Sequence, residues 1–185
     1  MEKFLNLIKN KQIMACVAIG LLLIATLAFL FSSLPKENYA NIEQEIYEFS
    51  NNIRNHYKLK PDYWGLNNEN VIKNSIAPKQ LVRNKKIMSS IGREYIIGQN
   101  ENGDMVMPSQ RNFMLTLDNL SKKACKKIAI LKIGTENHFG LQKFIISNNS
   151  GIHEFEWGSD NPLPVSKEDA DKKCENKNRI SWIFE

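Results

Sequence analysis

The chain has 185 residues, with 25 Lys and Arg against 20 Asp and Glu and a formal net charge of +5. That length holds one domain of ordinary size plus a terminal segment. Past residue 34, 22 bases face 19 acids, a mixed surface without the dense basic stripe that nucleic-acid binding needs, so nucleic acid is excluded as the main partner.

The first element is an apolar run, QIMACVAIGLLLIATLAFLF, without a charge from Gln12 to Phe31. Twenty helical residues rise about 30 Å, the thickness of a bilayer's hydrocarbon core. Lys3, Lys9 and Lys11 precede the run, and Lys36 and Glu37 are the first charges after it. The positive-inside bias then places residues 1–11 in the cytoplasm and residues 35–185 across the membrane. A cleaved signal has a shorter apolar core, and cleavage after Thr26-Leu27-Ala28 would leave Phe29-Leu30-Phe31 as a bulky start. Ile13-Met14-Ala15-Cys16 looks like a lipoprotein box but precedes the apolar run instead of ending it. A retained transmembrane helix over 12–34 is the strongest reading, with Ile13, Val17, Leu21, Ile24 and Phe31 as its membrane or assembly residues and Cys16 as a small apolar filler.

Pro35 ends or kinks that helix, and Asn38 or a neighbour caps a new one. In YANIEQEIYEFSNNIRNHY, Tyr39, Ile42, Ile46, Phe49, Ile53 and Tyr57 recur at three- and four-residue steps. This spacing predicts an amphipathic helix that packs Ile42, Ile46, Phe49, Ile53 and Tyr57 on the domain's own core, with Glu43, Glu45 and Glu48 facing outward. From Lys58 to Pro78 the chain reads as a packed irregular connection anchored by Tyr63, Trp64, Leu66, Val71, Ile72 and Ile76, with a helical turn around Glu69–Asn74.

Short strands are predicted at Arg93–Gln99 and Met105–Met107, around an Asn102-Gly103 turn. A stronger one covers Asn112–Asp118. A helix starting near Asn119 or Ser121 and stopping at Gly134 then buries Ala124, Cys125, Ile128, Ala129 and Leu131. It turns Lys122, Lys123, Lys126 and Lys127 outward, as a solvated face or an anionic-partner patch. FGLQKFIISN is a further strand, Ser166 starts a short helix ending near Cys174, and RISWIFE closes the chain. The sum is an α+β fold: a long N-terminal helix, membrane-spanning and then amphipathic, on an antiparallel sheet of about four strands.

Reaction chemistry is missing from this pattern. His56, His138 and His153 are scattered, and none belongs to a metal-ligand spacing. His153-Glu154-Phe155-Glu156 reads as an alternating surface strand, and the glycines at 98, 103 and 134 are isolated turn residues instead of a phosphate loop. Neither Cys125 nor Cys174 lies in a Cys-x-x-Cys pair. No catalytic, metal or cofactor residue is assigned, no small-molecule substrate is expected, and the chain is read as a non-enzyme. Beyond the membrane run, the two cysteines are an even number in an oxidising compartment, available for a bridge or held as buried thiols.

Three local patterns in order resemble the type IVb pilins, within them the PilS group of conjugative plasmids and enteric bacteria. NNIRNHY ends the long helix and leads into YWGLNNENVIKNSIAP. FMLTLDNLSKKACKKIAIL runs from a strand into a cysteine-bearing helix. Cys174 stands just before the terminal strand. The resemblance spans Tyr39 to Glu185. It implies a spine helix on an antiparallel sheet and a disulfide between Cys125 and Cys174. It also implies function by assembly with other pilin or secretion-apparatus subunits, as a homo- or hetero-oligomer of a pilus or of a secretion or conjugation apparatus. The implied location is the inner membrane, single-pass, with the domain in the periplasm or on an extracellular fibre used in adhesion. The N-terminal region departs from the family: no glycine precedes Gly20, no acid lies between Glu2 and Glu37, and Pro35 interrupts the spine. A minor or divergent pilin is therefore expected. The competing reading is a single-pass anchored binding module that recognises a periplasmic partner with its head and does not polymerise.

Overall fold

The computed structural model describes residues 39–98, 112–133 and 140–185. Helix α1, Ala40–Tyr57, carries the predicted stripe: Ile42, Ile46, Phe49 and Ile53 are fully buried and Tyr57 nearly so. Each such side chain removed from water contributes about 1.5–3 kcal/mol, so the stripe and not intrinsic propensity holds this helix. Its start has Tyr39 in the capping position without a side-chain cap.

One outward assignment fails. Glu45 is buried, because its carboxylate accepts from the Tyr95 hydroxyl at 2.8 Å and from the Ser90 N–H at 2.9 Å. A charge leaves water only where hydrogen bonds replace hydration. The burial and the carboxylate together push the Tyr95 hydroxyl well above its ordinary range, burial contributing most. The pair fastens the first turns of α1 to the sheet.

Among the described residues that sheet has five strands, in keeping with the expected antiparallel sheet of about four, ordered β3-β4-β7-β5-β6. The strands are β3 Tyr95–Ile97, β4 Phe113–Leu120, β5 Leu141–Asn148, β6 Gly151–Glu156 and β7 Asn178–Phe184. Strand β6 takes in the His153–Glu156 alternation and pairs with β5 across a two-residue turn, Asn148 opposite Gly151. A separate two-stranded ribbon, β1 Val82–Arg83 with β2 Lys86–Ile87, is new; its turn residues Asn84 and Lys85 adopt positive φ, which no sequence signal of the Asn-Gly type marks. The last strand in sequence, β7, lies in the middle of the sheet between β4 and β5.

Aromatic rings line the helix-facing layer. Phe49 meets Tyr95 edge-on at 5.9 Å, Tyr63 bridges Tyr57 and Phe113 at 5.3 and 4.9 Å, and Phe144 contacts both Phe155 and Trp182. Such pairs contribute about 0.5–1.5 kcal/mol beyond area burial.

The Lys58–Pro78 connection is packed through Tyr63, Leu66, Val71 and Ile76, but Trp64 is 66 % exposed. Its backbone explains this. The Asp62 carboxylate accepts from the Trp64 N–H and the Trp64 carbonyl accepts from the Tyr57 hydroxyl, so the main chain is pinned inward and the indole is left outside. Helix α2 within this segment is Asn68–Lys73, capped by Asn67. A glycine is required at Gly98, where φ is +72° and a Cβ would stand 2.7 Å from the Leu66 carbonyl oxygen.

Helix α3 is Lys122–Ala129, five residues shorter than the glycine-terminated reading. Two causes act. Asn119 takes φ +53°, which lengthens β4 to Leu120 through a bulge, and Ile130 leaves the helical region. Helix α4, Lys167–Lys173, starts as expected at Ser166, whose hydroxyl accepts from the Asp169 N–H at 3.0 Å. All described residues belong to one compact unit, Glu37–Glu185. Among them no helix is long and apolar enough to cross a membrane. The 12–34 run with Ile13, Val17, Leu21, Ile24 and Phe31, and the strand at Met105–Met107, lie outside the described residues.

Candidate functional site

The residues that set this chain apart from a bare helix-on-sheet fold gather where β4 runs into α3 and α4 runs into β7. Ser121 opens α3 by accepting from the Ala124 N–H at 3.2 Å. The helix then turns Ala124, Cys125, Ile128 and Ala129 inward. Cys174 occupies the C-cap of α4. Cys125 and Cys174 are disulfide-bonded, with Cα atoms 5.8 Å apart and a sequence separation of 49. In the chain-entropy model a closed loop of this size disfavours the unfolded state by about 4 kcal/mol.

A buried asparagine completes the junction, and nothing in the sequence singled it out. The Asn178 side chain donates to the Leu120 and Glu175 carbonyls and accepts from the Glu175 N–H. Asn148 donates to Asn178 and to the Lys173 carbonyl. Two amides thus tie together the ends of β4, α4, β5 and β7 beside the disulfide. Arg179 adds an ion pair to Asp118 at 2.8 Å. Burial works to raise the Asp118 carboxyl, but hydrogen bonds from Arg179 and the Asn119 N–H outweigh it and hold the pKa below its ordinary value.

The surface over this junction is basic. Helices α3 and α4 carry seven lysines and three acids, and Lys126 pairs with Asp171 between the helices at 2.7 Å. That hydrogen bond holds the Asp171 carboxyl below its ordinary value. Exposed pairs of this kind add little stability.

Among the described residues there is no group of three His, Cys, Asp or Glu side chains placed to hold a metal. An open cleft of about 300 Å³ at the end of α1 sets Arg54, Lys58, Lys60 and Asp62 around Tyr57 and Tyr63. His153 lies on β6, away from His56 on α1.

A spine helix laid on an antiparallel sheet whose last strand is central, stapled by one disulfide to a helix leaving the neighbouring strand, defines the head of a type IVb pilin-like protein. The chain belongs to the Bundlin family, whose model matches residues 35–181. It is 25 % identical over 193 aligned positions to the major structural subunit of bundle-forming pilus of Escherichia coli O111:H-, covering 99 % of this chain and 94 % of the relative. The corresponding subunit of Escherichia coli O127:H6 (strain E2348/69 / EPEC) is similar to the same extent. Among solved structures, the type IV b pilin from Salmonella typhi superposes with a TM-score of 0.48 at 16 % identity, covering 77 % of this chain and 97 % of that one. TcpA, a type IV pilin from Vibrio cholerae El Tor biotype, gives 0.47 at 12 % identity, covering 77 % and 98 %.

Proposed function

We propose that this chain is a pilin-like subunit that acts by assembling with other subunits of a pilus or a related secretion or conjugation apparatus, not by catalysis. The observation that carries this reading is the Bundlin match over residues 35–181, which takes in both the α1 spine and the Cys125–Cys174 staple. Support also comes from the relatives named as major structural subunits of bundle-forming pilus, which this chain matches over nearly its whole length. In this proposal residues 12–34 hold the subunit in the inner membrane by a helix whose apolar surface exchanges lipid for neighbouring helices. The head at 35–185 stands in the periplasm or on the fibre.

The missing glycine before Gly20 and the missing acid between Glu2 and Glu37 favour a minor or divergent subunit over the main fibre component. Mass measurement of the N-terminus, together with shearing of surface filaments, tests this. An intact N-terminus and absence from the sheared fraction fit a minor or accessory subunit. Cleavage near Gln12 with abundant recovery in filaments would make it the fibre subunit instead. A head released by deleting residues 1–35 that still supports the full function would overturn the assembly reading.

A further inference from the structure

Among the described residues, strand β6 forms one edge of the five-stranded sheet, and β5 is the one strand it pairs with. Its last residue is already paired on the outer side: the Glu156 N–H donates to the Asn161 carbonyl at 3.1 Å, and the Leu163 N–H donates to the Glu156 carbonyl at 3.2 Å. Pro162 forms a parallel bridge with Glu156. A short piece of the chain thus adds itself to this edge, and only at that point. Backbone groups of an antiparallel strand alternate sides with a period of two. Glu154 and Ile152 therefore also aim their two N–H and two C=O groups outward, and no described residue takes these up.

The side chains beside these open groups have a definite chemistry. Ile152 is 55 % exposed, an apolar residue where sheet edges usually carry a lysine, a proline or a bulge to prevent pairing. Glu154 and Glu156 share a single cation, Lys143, at 2.6 and 2.7 Å, and exposed Asp160 stands where the covering segment leaves the edge. One lysine against three acids leaves the strip negative. Pairing with β6 of a second copy would bring two such strips together, so charge favours a basic strand.

We propose that the Ile152–Glu154 stretch of β6 accepts an extended segment of a partner protein as a sixth strand, with a basic residue opposite Glu154 and an apolar residue opposite Ile152. Main-chain hydrogen bonds supply the attachment, and the two alternate side chains supply the selection. The incoming strand lies in line with Asn161–Leu163, which closes the remainder of the edge. The proposal is independent of whether the chain enters a filament.

The test uses the full-length protein and blocked heptapeptides. The probe is Thr-Val-Thr-Lys-Thr-Val-Thr, compared with the same peptide carrying Glu in place of Lys. The lysine peptide should bind, with NMR amide shifts confined to β6 and Asn161–Leu163, and at least tenfold more tightly than the glutamate peptide. Glu154→Lys should invert that preference. Glu154→Pro removes an outward N–H, which an edge strand tolerates, together with the carboxylate, and should abolish binding. Glu154→Gln loses only the charge and should still bind the lysine peptide, with a reduced preference over the glutamate peptide. Equal affinity for both peptides, no binding at millimolar peptide, shifts elsewhere on the head, or full binding by Glu154→Pro would each overturn the proposal. So would a concentration-dependent dimer that Glu154→Pro dissociates, since that would make a second copy the occupant.

Discussion

At the β3 edge of the sheet, a side chain stands in for a neighbouring strand. The Asn68 amide donates to the Tyr95 carbonyl at 2.6 Å and accepts from the Ile97 N–H at 2.8 Å, pairing two of the four outward main-chain groups of β3 from the start of α2. At the β6 edge the chain closes only Glu156 and leaves Ile152 and Glu154 facing outward. The difference is first one of covering: β3 has the Asn68 amide against it, and β6 has only the Asn161–Leu163 segment at its end. It teaches that a polar side chain fixed beside an edge blocks its centre within the head, whereas an edge ending in a hairpin turn has its main-chain groups to offer.

The comparison can be broken most severely through the staple, because Cys125–Cys174 encloses β5 and β6 but not β3. Replacing both cysteines by alanine should lower unfolding stability by about 4 kcal/mol, read as a lower denaturant midpoint with a steeper slope, because the uncrosslinked unfolded chain exposes more surface. Hydrogen exchange should rise more in β5 and β6 than in β3. Equal loss of protection across all strands would mean that the bridge does not favour the β6 side. Next in size is Asn68→Ala, which leaves the Ile97 N–H and Tyr95 carbonyl unpaired. A cost of about 1–3 kcal/mol is expected, measured by chemical denaturation, and the newly opened β3 edge should promote self-association at high concentration.

Tyr95→Phe removes the hydroxyl that Glu45 accepts from and sharpens how far the β3 side depends on α1. It should cost about 1–3 kcal/mol, because the buried carboxylate keeps only the Ser90 N–H. At the open edge, by contrast, Ile152→Thr should change stability by no more than about 0.5 kcal/mol. A larger loss there would show that Ile152 packs within the head after all. The smallest effect concerns pH. Burial, and then the charge of Lys173, lower the pKa of His153 against an opposing contribution from Glu175. The folded state therefore favours neutral His153. Its contribution is present above the unfolded value of about 6.5 and declines as pH falls below that value, levelling off below the lowered folded pKa. His153→Gln should remove that slope from a pH series of thermal midpoints.

Elements with strong periodicity were legible in the sequence. The α1 stripe from Ile42 to Tyr57 repeats at helical spacing for more than four turns, and tertiary packing agrees with it. The Ser166 start of α4 was legible because its capping residue and acidic first turn act locally. What escaped depends on partners distant in sequence. Glu45 reads as a solvent-facing glutamate until Tyr95, fifty positions away, is placed against it. Asn67 and Asn68 read as breakers, yet one caps a helix and the other closes a sheet edge. Asn178 carries no signal in its neighbourhood, because its bonds reach Leu120 across 58 positions. The His153–Glu156 alternation was visible as a strand, but its place at an open edge follows from the pairing of β5 with β7, which composition does not encode. Trp64 shows the converse error: a large apolar residue in a packed loop need not itself be packed.

The covalent loop between Cys125 and Cys174 has a consequence for how the head responds to proteases. Its exposed turns include Asn149-Ser150 and Gly158–Asp160, and both lie inside the 49-residue closure. A cut at either turn opens the ring without releasing a fragment, since each new end remains tethered through the disulfide to the half carrying β4 or β7. A head nicked at either one of these turns would therefore migrate as one molecule until reduced.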